Sequence, residues 1–161
     1  MAPPMAYHLI WTCYGQWLRG DSRGYVDAEH NEPGTPYPFR DERRYTADAN
    51  RMAEPPCWLT EDLRHEAQAA MTEACAFRGW RLHAINVQPD HVHVLVTAPE
   101  VRGTRARQVL KDRATRALRA RDAGRRRWWT AGGKVEPVSG ERRLHDLANY
   151  VNNRQPFRRV E

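Results

Sequence analysis

A chain of 161 residues with 40% hydrophobic and 29% charged side chains is one domain's worth of globular sequence, long enough to bury about two thirds of its unfolded surface around a single core. No run approaches the roughly 18 apolar residues that span a bilayer, and Cys13, Cys57 and Cys75, an odd number without CxxC spacing, argue against a disulfide framework or a structural zinc site. The net charge of +6 is unevenly spread: residues 1–100 carry 9 basic against 14 acidic side chains, and residues 101–161 carry 17 against 6.

The N-terminal "MAPPMAYHLIWTCYG" has neither a basic region before its apolar stretch nor a small-residue cleavage site, so no secretion signal is expected, and the expected location is the cytoplasm. Within it "YHLIWTCY" (7–14) predicts a first strand, rich in aromatic and β-branched residues. Residues 25–58 follow no steady period and are broken by Pro33, Pro36, Pro38, Pro55 and Pro56, which predicts an irregular insert in a single domain spanning 1–161. Thr60 has the character of an N-cap, Glu61 and Asp62 fill a first turn, and Leu63, Ala67, Ala70, Ala74 and Phe77 step by four and three up to Gly79, so an amphipathic helix is expected there.

"WRLHAINVQ" (80–88) and "HVHVLVTA" (91–98) predict two antiparallel strands around a tight turn at Pro89 and Asp90. "TRARQVLKDRATRALRARDAG" places Val109, Leu110, Ala114, Ala117 and Leu118 on one side of a helix whose other side is basic. A further strand or hairpin is expected around Trp128 and Trp129, and a last helix from about Glu141 to Asn153 with Leu144, Leu147, Ala148 and Val151 as its apolar stripe. This order predicts an α+β fold of the ferredoxin-like, RRM-like kind, an antiparallel sheet with helices on one face.

Strand periodicity makes one segment chemically informative. In "PDHVHVLV" (89–96) residues two apart project to the same face, so His91 and His93 point together with Leu95, while Val92, Val94 and Val96 turn to the other side. Two neutral imidazoles side by side, with a third ligand and water, suit a divalent ion. A pair of solvated surface histidines fits the same spacing.

"QPDHVHVLV" resembles the His-hydrophobic-His motif of the HUH single-tyrosine transposases, the insertion-sequence and REP-associated tyrosine transposases. The resemblance extends to "YHLIWTCYGQWLRGDSRGYVD", the helix ending at "RGW", the hairpin "LHAINVQPDHVHVLV" and the late helix "LANYVNNRQP". It implies a metal-dependent endonuclease and strand transferase acting on single-stranded, hairpin-forming DNA, with Mg²⁺ or Mn²⁺ as cofactor, a homodimeric assembly and a nucleoid association. The nucleophile it implies is a tyrosine on the late helix, here Tyr150, which sits at the edge of the apolar stripe, where a phenol could leave the core. The family's third metal ligand is a Gln or Asn four residues after the tyrosine. Position 154 here is arginine, and Gln155, pushed out of helical geometry by Pro156, is preferred over Asn153 as its replacement.

Nearly all the basic charge of the last third is arginine, with Lys111 and Lys134 the only lysines, and the planar guanidinium suits phosphate oxygens and base stacking. Arg105, Arg113, Arg116 and Arg119, with Arg125, Arg126 and Arg127, are therefore candidates to track a DNA backbone. Trp17, Trp128 and Trp129 are candidates to stack on bases, and Trp11 and Trp80 are expected in the core. Two other functions fit parts of this pattern: a non-catalytic or domesticated single-strand binding module, which would keep the basic face, and a hydrolytic metal-dependent phosphoesterase, which would use the histidines and not Tyr150.

Overall fold

The computed structural model describes residues 3–16 and 41–154. In chain order these form β1 (Ala6–Thr12), α1 (Glu42–Asn50), α2 (Glu61–Arg78), β2 (Arg81–Val87), β3 (His91–Thr97), α3 (Gly103–Arg121), β4 (Lys134–Val138) and α4 (Glu141–Asn149), which runs on into a π-helical turn at Tyr150–Arg154. The strands make one sheet of order β2-β3-β1-β4, antiparallel throughout. This is the α+β, split-βαβ arrangement expected from the sequence.

The local chemistry predicted for α2 is what terminates it. The Thr60 hydroxyl accepts from the Leu63 N–H, and Gly79 closes the other end at φ +68, with its own N–H on the Ala76 carbonyl. The helix α3 begins at Gly103, where a Cβ would lie 2.4 Å from Val135 Cγ1 and 2.7 Å from Tyr7 Cδ1, so the helix approaches the sheet at a distance only glycine permits.

The strands divide their side chains between two cores. On one face Leu9 and Trp11 of β1 and Val92, Val94 and Val96 of β3 pack beneath α2 and α3 with Met71, Ala74, Leu110, Ala114 and Leu118. On the other, Ala6, Ala84, Leu95 and Val138 make a smaller cluster that Val151, Leu144, Leu147 and Ala148 cover. The C-terminal helical segment thus lies across the face that α2 and α3 leave open, and it carries Tyr150.

Three expectations need correction. The insert is not irregular throughout, because residues 42–50 form α1, capped by Asp41, whose carboxylate accepts from the Arg43 and Arg44 N–H groups at 3.1 Å each; residues 25–40 lie outside the described residues. The strand expected around Trp128 and Trp129 falls later, at Lys134–Val138, and Trp129 makes only an isolated bridge to Cys13. As an edge strand β4 tolerates Pro137. The last helix stops being α-helical at Asn149 and widens to a π-turn, a form found frequently at functional sites.

Candidate nucleic-acid processing site

His91 and His93 project from β3 onto the sheet face under the C-terminal segment, their rings 5.0 Å apart between centroids. Each has its Nδ1 occupied. Nδ1 of His91 lies 2.7 Å from Oδ1 of Asp90, a buried carboxylate in the β2–β3 turn, which Gln88 N–H to His91 O at 2.8 Å closes. Nδ1 of His93 lies 3.0 Å from Nε2 of His8 on β1, one step along the sheet, where His93 is paired with Ile10 and His8 with Leu95. The ring nitrogen that these two contacts do not use is Nε2 in both cases.

His93 is only 6% exposed. Burial, with His91 and His8 as neighbours, pushes its imidazole down to about 3, so the ring is neutral at physiological pH and its lone pair is available without competition from a proton. His8 is lowered too, by burial first, against the opposing pull of Glu136. Glu136, on β4 directly across from His8, places Oε2 3.5 Å from Nδ1 of His8 and Oε1 3.2 Å from Nζ of Lys134.

Tyr150 stands over this group. Its ring meets that of His93 edge to face with centroids 6.4 Å apart, and at 42% exposure the phenol is open to solvent. The segment that carries it is tied to the sheet by Asn86, the cross-strand neighbour of His93, whose Nδ2 donates to the Val151 carbonyl at 2.9 Å. His91 and His93, chosen from strand spacing, and Tyr150, chosen from the family resemblance, are thus brought together, while His8, Glu136 and Asn86 join them through strand register and carried no local sequence signal.

A divalent ion fits this arrangement as far as two ligands. The carboxylate on one histidine's far nitrogen and the imidazole on the other's are the kind of partners that orient metal-ligating histidines, and neutral imidazole is the required donor. Among the described residues no group of three or more His, Cys, Asp or Glu side chains is placed to hold a metal ion; His8 directs its near nitrogen to His93. Gln155 lies outside the described residues, and Asn153 is exposed on the π-turn.

The basic and aromatic candidates separate. Trp128 is a correction: at 2% exposure it belongs to the core beneath α2 and α3. Trp129 is half-buried, edge to face with Trp11 at 6.0 Å, its Nε1–H donating to Thr115 Oγ1 at 2.9 Å, so it braces α3 rather than offering a stacking face. Trp11 and Trp80 are in the core as expected, and Trp17 lies outside the described residues. Arg125 is half-buried and donates to the carbonyls of Pro55, Pro56 and Arg127 while pairing with Glu54, which makes it a tie between segments.

Arg126 and Arg127 are exposed. They border the sheet end that holds His91, since Tyr14 N–H bonds Trp128 O, Cys13 N–H bonds Asp90 O and Thr12 is paired with His91. Arg105, Arg116 and Arg119 are exposed and Arg113 half-buried, but all four ride on α3, in the layer on the far side of the sheet from Tyr150. Arg143, on α4, is close enough to His8 to lower its pKa, a basic residue on the Tyr150 side that the arginine runs had overshadowed.

A protein-family model described as Transposase IS200 like matches residues 56–154, a span that includes both histidines, Glu136 and Tyr150. Among solved structures, a chain from Deinococcus radiodurans R1 assigned as a transposase aligns at 18% identity and TM-score 0.49 over 91% of this chain and 88% of that one. A REP-associated tyrosine transposase bound to a REP hairpin aligns at 10% identity and TM-score 0.49, covering 92% of this chain and 65% of the other. No curated protein matches the chain. No helix among the described residues is long and apolar enough to cross a membrane.

Proposed function

The chain belongs to the family of IS200-like transposases, and from that premise we propose that it nicks and rejoins single-stranded, hairpin-forming DNA with Tyr150 as nucleophile. The observation that carries this reading is the edge-to-face placement of Tyr150 over His93, 6.4 Å between ring centroids, on a face shared with His91. A phenol is a weak nucleophile at neutral pH and needs a polarised target. Mg²⁺ or Mn²⁺, held by His91 Nε2, His93 Nε2 and Gln155, would supply that by stabilising the charge that develops on the scissile phosphate.

In the step proposed, Tyr150 Oη gives up its proton and attacks phosphorus. The bond from phosphorus to the 3′ oxygen breaks, and that oxygen takes a proton to leave as a 3′-hydroxyl, while the 5′-phosphate stays esterified to the tyrosine. Attack by a 3′-hydroxyl reverses the sequence and rejoins a strand. The ester conserves the bond energy, so no nucleotide cofactor is needed. Asp90 and His8 hold the two imidazoles in place, and Asn86 holds the segment that bears Tyr150. A homodimer is part of this proposal.

The test is an adduct. Incubated with hairpin-bearing DNA from the flanks of its own gene and Mn²⁺ or Mg²⁺, the protein is expected to give a covalent species that survives denaturing gels and is missing in Tyr150→Phe. An adduct that persists in that variant sinks the assignment. Tight binding with no adduct from the unmodified protein favours instead a binding module, the reading that arginine at position 154 supports.

A further inference from the structure

His8 is as buried as the core residues around it, 3% exposed, yet it places an imidazole between a metal-ligand candidate and a carboxylate. We infer that Glu136 and His8 are positioning residues that fix the tautomer of His93, so that its Nε2 carries the lone pair and its Nδ1 the proton. The inference rests on the metal-site reading proposed for His93, and it deepens that reading by naming what prepares the ligand.

The argument is one of proton counting. Nε2 of His8 and Nδ1 of His93, 3.0 Å apart, can share a hydrogen bond only if one carries a proton and the other a lone pair. With both rings neutral at pH 7, as burial of His8 and His93 requires, two arrangements satisfy this. If His8 is protonated on Nε2, its Nδ1 lone pair faces Oε2 of Glu136 at 3.5 Å, lone pair against carboxylate, and His93 is left with its proton on Nε2, where no metal could bind. If His8 is protonated on Nδ1, that N–H points its positive end at the carboxylate, Nε2 accepts from His93 Nδ1–H, and His93 Nε2 is bare.

At 3.5 Å the contact with Glu136 is longer than an N–H···O hydrogen bond, so its effect is an electrostatic bias within a buried site, where such biases are strong. Lys134 Nζ, 3.2 Å from the other carboxylate oxygen, holds Glu136 in place. The same outcome is reached independently at His91, where Oδ1 of Asp90 occupies Nδ1 at 2.7 Å. Two differently built devices, a direct carboxylate and a carboxylate acting through a second imidazole, engage the same nitrogen, Nδ1, on neighbouring rings.

The measurement is two-bond ¹H–¹⁵N correlation on the metal-free full chain with ¹⁵N-labelled histidine at pH 7. His93 is expected as the Nδ1–H tautomer; finding it protonated on Nε2 overturns the inference whether or not the protein binds metal. Mn²⁺ titration followed by electron paramagnetic resonance gives the second readout. His8→Phe, which keeps the ring volume and loses the acceptor, should weaken Mn²⁺ binding by about 10- to 100-fold. His8→Gln, whose amide oxygen can accept from His93 Nδ1–H, should restore most of it. Unchanged Mn²⁺ affinity in His8→Phe counts against the relay. Should the unmodified protein take no Mn²⁺ while His93 shows the expected tautomer, the metal-site reading falls and the relay stands; should His8→Phe fail to fold, the spectra of the unmodified chain decide.

Discussion

The two faces of the sheet are made by the same strands and differ in almost everything else. Beneath α2 and α3, alternate residues of β1 and β3 are Leu9, Trp11, Val92, Val94 and Val96, all essentially inaccessible, with the half-buried Tyr7 packed against them. On the Tyr150 side the intervening residues are His8, Ile10, His91, His93 and Leu95, and the apolar cluster there is five buried residues with three half-buried ones around it. One face is built for stability; the other spends most of its positions on polar groups and is covered by a short segment. Damage to the first should cost folding and damage to the second should cost chemistry.

The largest separation is expected from Tyr150→Phe, which deletes one exposed hydroxyl: adduct formation should vanish while thermal stability and DNA affinity stay within error. His93→Ala should do the same to the adduct, with a modest loss of affinity, since affinity on single strands comes mainly from stacking and phosphate contacts. On the opposite face Leu110→Ala opens a cavity in the main core and should cost about 2–5 kcal/mol by denaturant melting, with adduct yield per folded molecule unchanged. If Leu110→Ala abolished the adduct in protein that is still folded, the division of labour between faces would be wrong.

How much of this division is legible in the sequence depends on how local its signals are. The helix α2 announces itself through Thr60, the acidic first turn and Gly79, and the alternation in "HVHVLVT" sorts Val92, Val94 and Val96 from the histidines because strand period is strictly two. In contrast α1 buries none of its residues, so it has no apolar stripe to detect, and its start depends on a single cap at Asp41. His8 sits in "YHLIWT" with nothing to mark it, and its partners His93 and Glu136 are defined only once β1 is placed between β3 and β4. Trp128 misled for a related reason: three arginines beside it suggested a binding surface, while the backbone bond from Tyr14 N–H to its carbonyl belongs to a segment folded against the core.

A smaller effect tests the polar face through pH. His93 is pushed down to about 3 from 6.5 by burial and its histidine neighbours, so between those values the unfolded chain binds a proton that the folded chain does not. Stability is then fully present above about pH 6.5 and is lost as pH falls towards 3, at about 1.4 kcal/mol per pH unit inside the window. His8, also lowered, adds in the same direction. In His93→Gln the slope of melting free energy against pH between roughly 6 and 4 should flatten; an unchanged slope would assign acid sensitivity to groups away from this face.

The subtlest expected effect asks which side of the sheet the DNA follows. Arginines on α3 and arginines at 126 and 127 contribute alike to net charge, yet they sit in different places: Arg105, Arg113, Arg116 and Arg119 lie along the helical layer, whereas Arg126 and Arg127 lie at the end of the sheet where Thr12 is paired with His91. A phosphate backbone that reaches Tyr150 from the His91 end of the sheet passes Arg126 and Arg127 at that end, but must turn around the sheet edge to touch α3. Each phosphate contact on a single strand contributes about 0.7 to the slope of log affinity against log salt. Replacing Arg126 and Arg127 by alanine should therefore reduce the slope by about 1.4, and replacing the four α3 arginines should leave it unchanged. Arg125→Ala serves as the contrast, since its guanidinium is engaged by the Pro55, Pro56 and Arg127 carbonyls: it should lower stability and leave the slope alone. If instead the α3 substitutions flatten the slope and the Arg126 and Arg127 pair does not, the DNA runs over the helical layer and the strand would have to cross the sheet edge to meet the tyrosine.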